Sequence, residues 1–301
     1  MDLNFFKQTR ILDGGMGQEL LARGMKHHGT LWSANAILNE NYHQLLEDTH
    51  RDFVKAGAEV IVTTTFTTRR KRLRENNVED KFEYLNIKAG EIAYKVKKEF
   101  PNILIAGGLP PQELTYEPDG RSEEEITKTF NEQAKLLNDY VDFFYFDVWS
   151  SIKEFKCGIE AIKELKKPYL IGIHISEGTN LPSGEKISDI KGIIDDQLLG
   201  IILSCVSPEN YEKNLQEMRE LNVPFGFKLN GFMTTKPKDG YTSSYFKNDG
   251  GNPNKFLGQR HDLTPDKIAE IAKKCKDNGA TILGGCCETR PSHIEAMAKI
   301  K

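Results

Sequence analysis

Three of the five cysteines stand where a thiol could do chemistry. Cys205 lies in GIILSCVSPENY, and Cys286 and Cys287 lie side by side in ILGGCCETRPSHI. Each segment reads as a short apolar strand, then the cysteine, then polar residues that open a helix. Three thiolates brought to one point make a soft, anionic site that suits Zn2+. Three protein ligands leave the fourth tetrahedral position open, which is the arrangement of a catalytic rather than a structural zinc. Such a centre is formally a monoanion and a poor Lewis acid toward water. It can still hold a substrate thiol as a nucleophilic thiolate at neutral pH. The chemistry favoured is alkylation of a thiol, not hydrolysis. Free cysteines also serve as small buried hydrophobes, and spacing alone leaves both readings open. The glycine pair before Cys286, which lets backbone approach a crowded site, favours the metal. Cys157 and Cys275 fall in helical segments and read as packing thiols.

For Cys205 to meet Cys286 and Cys287, their strands must deliver them to one rim. Apolar runs bounded by Gly, Pro or polar residues mark strands at 11–13, 59–64, 103–108, 141–147, 169–175, 200–204, 225–229 and 281–284. Helical spacing lies between most of them, over 41–56, 123–140 and 208–221, the last with Ser207 as N-cap and Pro208 in the first turn. Alternating strands and helices imply parallel pairing, and eight units in 301 residues imply a single (β/α)8 TIM barrel without a domain boundary. An open doubly wound sheet is the competitor, but the first turn, DGGMGQ, lacks GxGxxG spacing. In a barrel, chemistry sits on the loops after the strands. The longest irregular stretch, 230–262, is expected to cover the barrel mouth or form a subunit contact.

Composition narrows the partners. Lys and Arg number 41 against 44 Asp and Glu, a net charge of -3, which gives no support to nucleic-acid binding. No apolar run spans a bilayer, so no membrane partner is expected. MDLNFFKQTR has no secretory pattern, and five cysteines are too few for a disulfide scaffold; both point to reduced thiols in a cytoplasmic location.

The chain resembles the zinc-dependent homocysteine S-methyltransferase family. Four blocks carry the resemblance, in family order: ILDGGMGQELLARG, LWSANAILNENYHQLLEDTHRDFVKAGAEVIVTTTFTT, GIILSCVSPENY and LGGCCETRPSHIEAM. The resemblance implies a homocysteine-binding barrel over 1–301, with zinc on Cys205, Cys286 and Cys287. It also implies methyl transfer from a sulfonium or ammonium donor to homocysteine, giving methionine. Substrate residues follow beside their plainer roles. Asp13 would bind an amino acid's ammonium or cap the next helix. Gly14 and Gly15 would let substrate lie against backbone. Thr63 would hydrogen-bond the amino acid or simply favour the strand. Trp32 would face a cationic donor or plug the core, and Asn230 matches the family's Y-x-N segment. His174, ending the fifth strand, reads as core or polar lining more than as a ligand.

Departures from the family fall at the fourth strand and before the sixth-strand cysteine. The fourth strand ends in Asp147 and Val148, where the family has an E-T-like pair whose Glu binds the homocysteine ammonium; Asp147 keeps that charge one methylene shorter and shifts the amino group's place, and Val148 removes a polar or tyrosine side chain that helps hold the donor in betaine-using members. Ser204 stands where Asn is usual before the cysteine. The donor stays open among S-methylmethionine, S-adenosylmethionine, glycine betaine and dimethylsulfoniopropionate. The absence of a long C-terminal extension favours a simple sulfonium, whereas AGGLPPQEL and the segment 260–265 look nearer the betaine branch. The alternatives are methyl supply by a corrinoid protein, another thiol acceptor, or a zinc- or thiol-binding barrel without activity. A homo-oligomer is compatible with all of them.

Overall fold

The structure is a computed structural model and describes residues 1–235 and 257–301. Eight strands form one parallel sheet: β1 (Arg10–Ile11), β2 (Val60–Val62), β3 (Leu104–Leu109), β4 (Phe143–Trp149), β5 (Tyr169–Ile173), β6 (Leu198–Val206), β7 (Phe225–Leu229) and β8 (Ile282–Gly285). Each pairs with its sequence neighbour from β2 to β8, and β8 pairs with β1. A parallel bridge from Leu12 to Val60 joins β1 to β2 and closes the (β/α)8 barrel. All eight expected strands are present, displaced by a few residues at their ends. The helix expected over 41–56 begins with a 3-10 turn, Glu40–Tyr42, because the Asn39 side chain accepts from the Asn41 N–H and tightens the start. Ser207 caps the helix Pro208–Glu220 as expected, accepting from the Asn210 N–H.

Strand alternation sorts the side chains into two layers. In β4, Phe143 and Tyr145 point into the barrel, while Phe144 and Phe146 point out to the helices. The outer layer is the larger core, and Trp149 stacks there between Phe130 at 4.1 Å and Phe146 at 4.3 Å. Phe6 packs edge-on to Phe143 at 5.9 Å and fills the N-terminal end of the barrel. Cys157 and Cys275 both lie in the outer core, as expected of packing thiols.

Three register shifts break this alternation: one at the start of the β5–β6 pairing, between Tyr169 and Leu170, and two at the C-terminal rim. In β4 the register shifts between Phe146 and Trp149, with Val148 at φ 68°. Asp147 and Val148 therefore both face the barrel mouth, and Trp149 returns to the outer core. In β6 the register shifts between Ser204 and Val206, with Cys205 at φ 55°. Without that extra residue Cys205 would point outward into the helix layer; with it, the thiol turns into the mouth and Val206 takes the outer place. A left-handed backbone is costly for non-glycine residues and costliest for a β-branched one. Of the eight non-glycine residues with positive φ among the described residues, four, Trp32, Tyr116, Val148 and Cys205, line one cavity at this rim, and Glu288 adjoins it.

Among the described residues, no helix is long and apolar enough to cross a membrane. The stretch expected to cover the mouth falls largely on 236–256, outside the described residues. Its described ends do lie over the site: Phe232 and Leu257 pack with the rim cysteines, and the Gly231 N–H donates to the Cys287 carbonyl at 2.8 Å.

Candidate metal centre and substrate cavity

β6 and β8 bring Cys205, Cys286 and Cys287 together, with all three sulfurs within 4.8 Å of one another. The Cys205 Sγ lies 3.9 Å from that of Cys287, which lies 4.0 Å from that of Cys286. Among the described residues this is the only group of three or more His, Cys, Asp or Glu placed to hold a metal ion. The Tyr116 hydroxyl sits 3.0 Å from the Cys205 Sγ, and the Asn230 amide donates to the same sulfur at 3.8 Å. Burial pushes the Cys205 thiol up, but hydrogen bonds from Cys286, Cys287 and Tyr116 outweigh it and bring it well below the usual cysteine range. Hydrogen bonding to Cys205 in turn pushes Cys286 and Cys287 up. Thiolates this close repel one another, and a bound cation favours the thiolate form of each.

The cysteines form the floor of a cavity whose wall includes Trp32, Phe66, Tyr116 and Phe232. Trp32 meets Phe66 edge-on at 6.3 Å. The Trp32 ring lies so close over the helix Met16–Ala22 that a Cβ on Gly17 would come 2.1 Å from it. The Gln18 amide and the Trp32 indole N–H are buried on this wall without a hydrogen-bond partner among the described residues. His174 stands behind the wall rather than in it. Its ring stacks on Tyr116 at 4.1 Å, it is held by the Ser204 carbonyl and the Ser176 hydroxyl, and burial pulls it down to about 3, so it is neutral.

The other expected substrate residues divide. Asp13, Thr63 and Asp147 all line the cavity. Asp13, however, is already engaged through both oxygens. One accepts from the Val62 N–H at 2.8 Å and the other from the Lys228 ammonium at 2.6 Å. The Thr63 hydroxyl accepts from the Gly108 N–H at 3.0 Å and lies 2.9 Å from the Thr65 hydroxyl, so it ties β2 to β3. Gly14 and Gly15 reach the cavity, but their smallness serves packing between loops. A Cβ on Gly14 would lie 2.6 Å from the Thr289 carbonyl oxygen, and one on Gly15 2.5 Å from that of Cys286. Asn230 is spent on Cys205 and on the Phe232 N–H, not on the cavity. Asp147 has no ion pair among the described residues. Burial and the Cys286 sulfur push its carboxyl up to about 7, against the pull of Lys228.

Sequence reading missed Lys228 and Tyr116. Lys228 is a single cation in the buried strand FGFKL, and charge at such a position is rare enough to be a signal. Burial disfavours its ammonium, but Asp13 and Asp147 outweigh that and hold it above the ordinary lysine range. Tyr116 stands in a loop without periodicity, and nothing local marks it.

The model of the homocysteine S-methyltransferase family matches residues 10–300. Homocysteine S-methyltransferase 2 of Saccharomyces cerevisiae is 26% identical over 97% of this chain and 94% of its own. S-methylmethionine–homocysteine S-methyltransferase BHMT2 of Pongo abelii is 27% identical over 96% of this chain and 77% of its own. Among solved structures, the homocysteine methyltransferase MmuM of Escherichia coli in its metallated form superposes with a TM-score of 0.79. It is 20% identical, covering 98% of this chain and 96% of that one, a likeness of fold. The chain belongs to the homocysteine S-methyltransferase family.

Proposed function

We propose that the three cysteines hold Zn2+ and that the cavity above them joins homocysteine to a small sulfonium or betaine-type methyl donor, giving methionine. The sulfur spacing is the observation that carries this reading. A tetrahedral zinc with sulfurs at about 2.3 Å sets those sulfurs about 3.8 Å apart, and two of the three pairs here lie at 3.9 and 4.0 Å, with the third within 4.8 Å. With three protein ligands, a zinc held there would keep its fourth position for the acceptor sulfur. The metallated form of the E. coli enzyme supports the same reading. When bound, zinc supplies a lowered pKa for the acceptor thiol, which then reacts as thiolate at neutral pH.

The chain's own residues do the rest. Tyr116 and Asn230 fix the direction of the Cys205 sulfur. Asp147, rather than the engaged Asp13, takes the acceptor's ammonium. Trp32, Phe66, Tyr116 and Phe232 offer ring faces to a methylated cation. One S–C bond forms at the acceptor as the donor's onium–methyl bond breaks, and the donor leaves as a neutral thioether or amine. Two opposite charges are consumed, so a buried, aromatic site that holds both partners in line favours the step.

The test is methyl transfer by the zinc-loaded protein under reducing conditions. Homocysteine is paired separately with S-methylmethionine, S-adenosylmethionine, glycine betaine and dimethylsulfoniopropionate, and methionine is read by mass spectrometry. Methionine from one donor is the expected result, with S-methylmethionine first in line from the name of the Pongo abelii relative. No methionine from any donor, with one metal bound per chain, overturns it.

A further inference from the structure

Lys228 is the cavity's least expected residue. Its side chain leaves β7 toward the barrel mouth and is 7% exposed, and a Cβ on Gly284 of the neighbouring strand would lie 3.2 Å from its Cγ. Gly284 thus leaves room for the lysine stem. The ammonium has three N–H donors. One is spent on Asp13, which is itself fixed by the Val62 N–H. The other hydrogen-bond capacity of Nζ has no protein partner among the described residues. The Asp13–Lys228 pair is neutral as a unit, yet it presents its cationic end to a cavity floored by three sulfurs and flanked by Asp147. An amino acid bound through its sulfur on that floor carries one group that Asp147 attracts and one that it repels. The repelled group, a carboxylate, needs a buried cation.

We infer that Lys228 is the carboxylate anchor of the thiol acceptor, with Asp13 as the residue that holds its ammonium in place. The inference rests on the reading of the acceptor as an amino acid thiol. It makes the acceptor site a three-point one, with sulfur on the cysteine floor, ammonium on Asp147 and carboxylate on Lys228. A thiol lacking any one point binds more weakly. Asp13 acts as a positioning residue, since its contact is with Lys228 rather than with the substrate.

The experiment measures equilibrium binding to the zinc-loaded protein by calorimetry. Homocysteine is compared with 3-mercaptopropylamine, the same molecule without its carboxylate. The wild-type protein is expected to prefer homocysteine by on the order of 10- to 100-fold, the range of a hydrogen-bonded charge pair. The double variant Asp13→Asn/Lys228→Met removes both charges together and leaves an acceptor for the Val62 N–H. It is expected to bind the two thiols within about three-fold of each other, with affinity for 3-mercaptopropylamine unchanged. Should that variant not fold, Asp13→Asn/Lys228→Gln, closer in polarity to the native pair, is read in the same way. Equal binding of the two thiols by the wild type overturns the assignment, and so does a preference that survives in the folded variant. Failure of the wild type to bind either thiol refutes the acceptor reading itself, and the role of Lys228 falls with it.

Discussion

Gly17→Ala tests how the donor wall is built. Gly17 is the second residue of the helix Met16–Ala22, and a Cβ there would lie 2.1 Å from the Trp32 Cε2, 2.4 Å from the Cζ2 and 2.4 Å from the Nε1. The obstacle is the flat of a ring, so the ring must move. Alanine gains up to about 1 kcal/mol of helix propensity over glycine, and overpacking costs about 1–3 kcal/mol. The net is a destabilisation of up to about 2 kcal/mol, a fall in Tm of up to about 3 °C in a chain of 301 residues. Trp32 is one of two tryptophans, and the other, Trp149, is fully buried in the outer core. A change in tryptophan emission therefore reports the displaced ring. With the ring moved, the donor's KM should rise about 10-fold, the worth of a desolvated cation–π contact. The homocysteine KM should stay unchanged. Gly120→Ala, where a Cβ meets nothing within 4 Å, is the control. Unchanged emission and unchanged Tm in Gly17→Ala would refute the packing of Trp32 on this helix.

Single changes of Cys205, Cys286 or Cys287 to Ala should each remove bound zinc and abolish transfer; full metal content and activity in any one of them would contradict the ligand set. Asn230→Ala removes the amide from the Cys205 sulfur and should weaken zinc binding by about 10- to 100-fold in a chelator competition, as loss of a ligand's own hydrogen-bond partner typically does. Glu154, buried in the helix Ile152–Ile162, has its carboxyl pushed up by burial to about 7 from an unfolded value of 4.5, despite the Ser151 hydroxyl. The folded value lies above the unfolded one, so its neutral form favours the fold in acid. That stability is lost as pH rises from about 4.5 through about 7, amounting to about 3 kcal/mol. Thermal melts of Glu154→Gln should match wild type near pH 4.5 and exceed it at pH 8; parallel melting curves across that range would remove this group from the account.

The barrel was legible because its strands are apolar runs set off by Gly, Pro and polar residues, and because helical spacing lies between most of them. The cysteine floor was legible because all three thiols follow such strands directly. What the residues could not disclose was how the side chains would be aimed. Nothing in YFDVWS or LSCVS marks an interruption, yet each holds a bulge, at Val148 and at Cys205. A one-residue slip in pairing leaves no compositional trace, although it decides whether Cys205 faces the mouth or the helices. Asp13 shows the converse. Its place at the rim was legible, but its ion pair spans 215 residues to Lys228, and no local pattern announces that its charge is already neutralised. Tyr116 reaches Cys205 across 89 residues from an irregular loop, for the same reason.

X-ray absorption at the zinc edge, on protein loaded with one zinc per chain, tests the central claim most directly. Three cysteine sulfurs and an open fourth position predict three sulfurs and one lighter atom around the metal at rest. Addition of homocysteine should replace the lighter atom with a fourth sulfur at about 2.3 Å. A metal already closed by four protein ligands, or a coordination shell unchanged by homocysteine, would contradict a site built to activate the acceptor thiol.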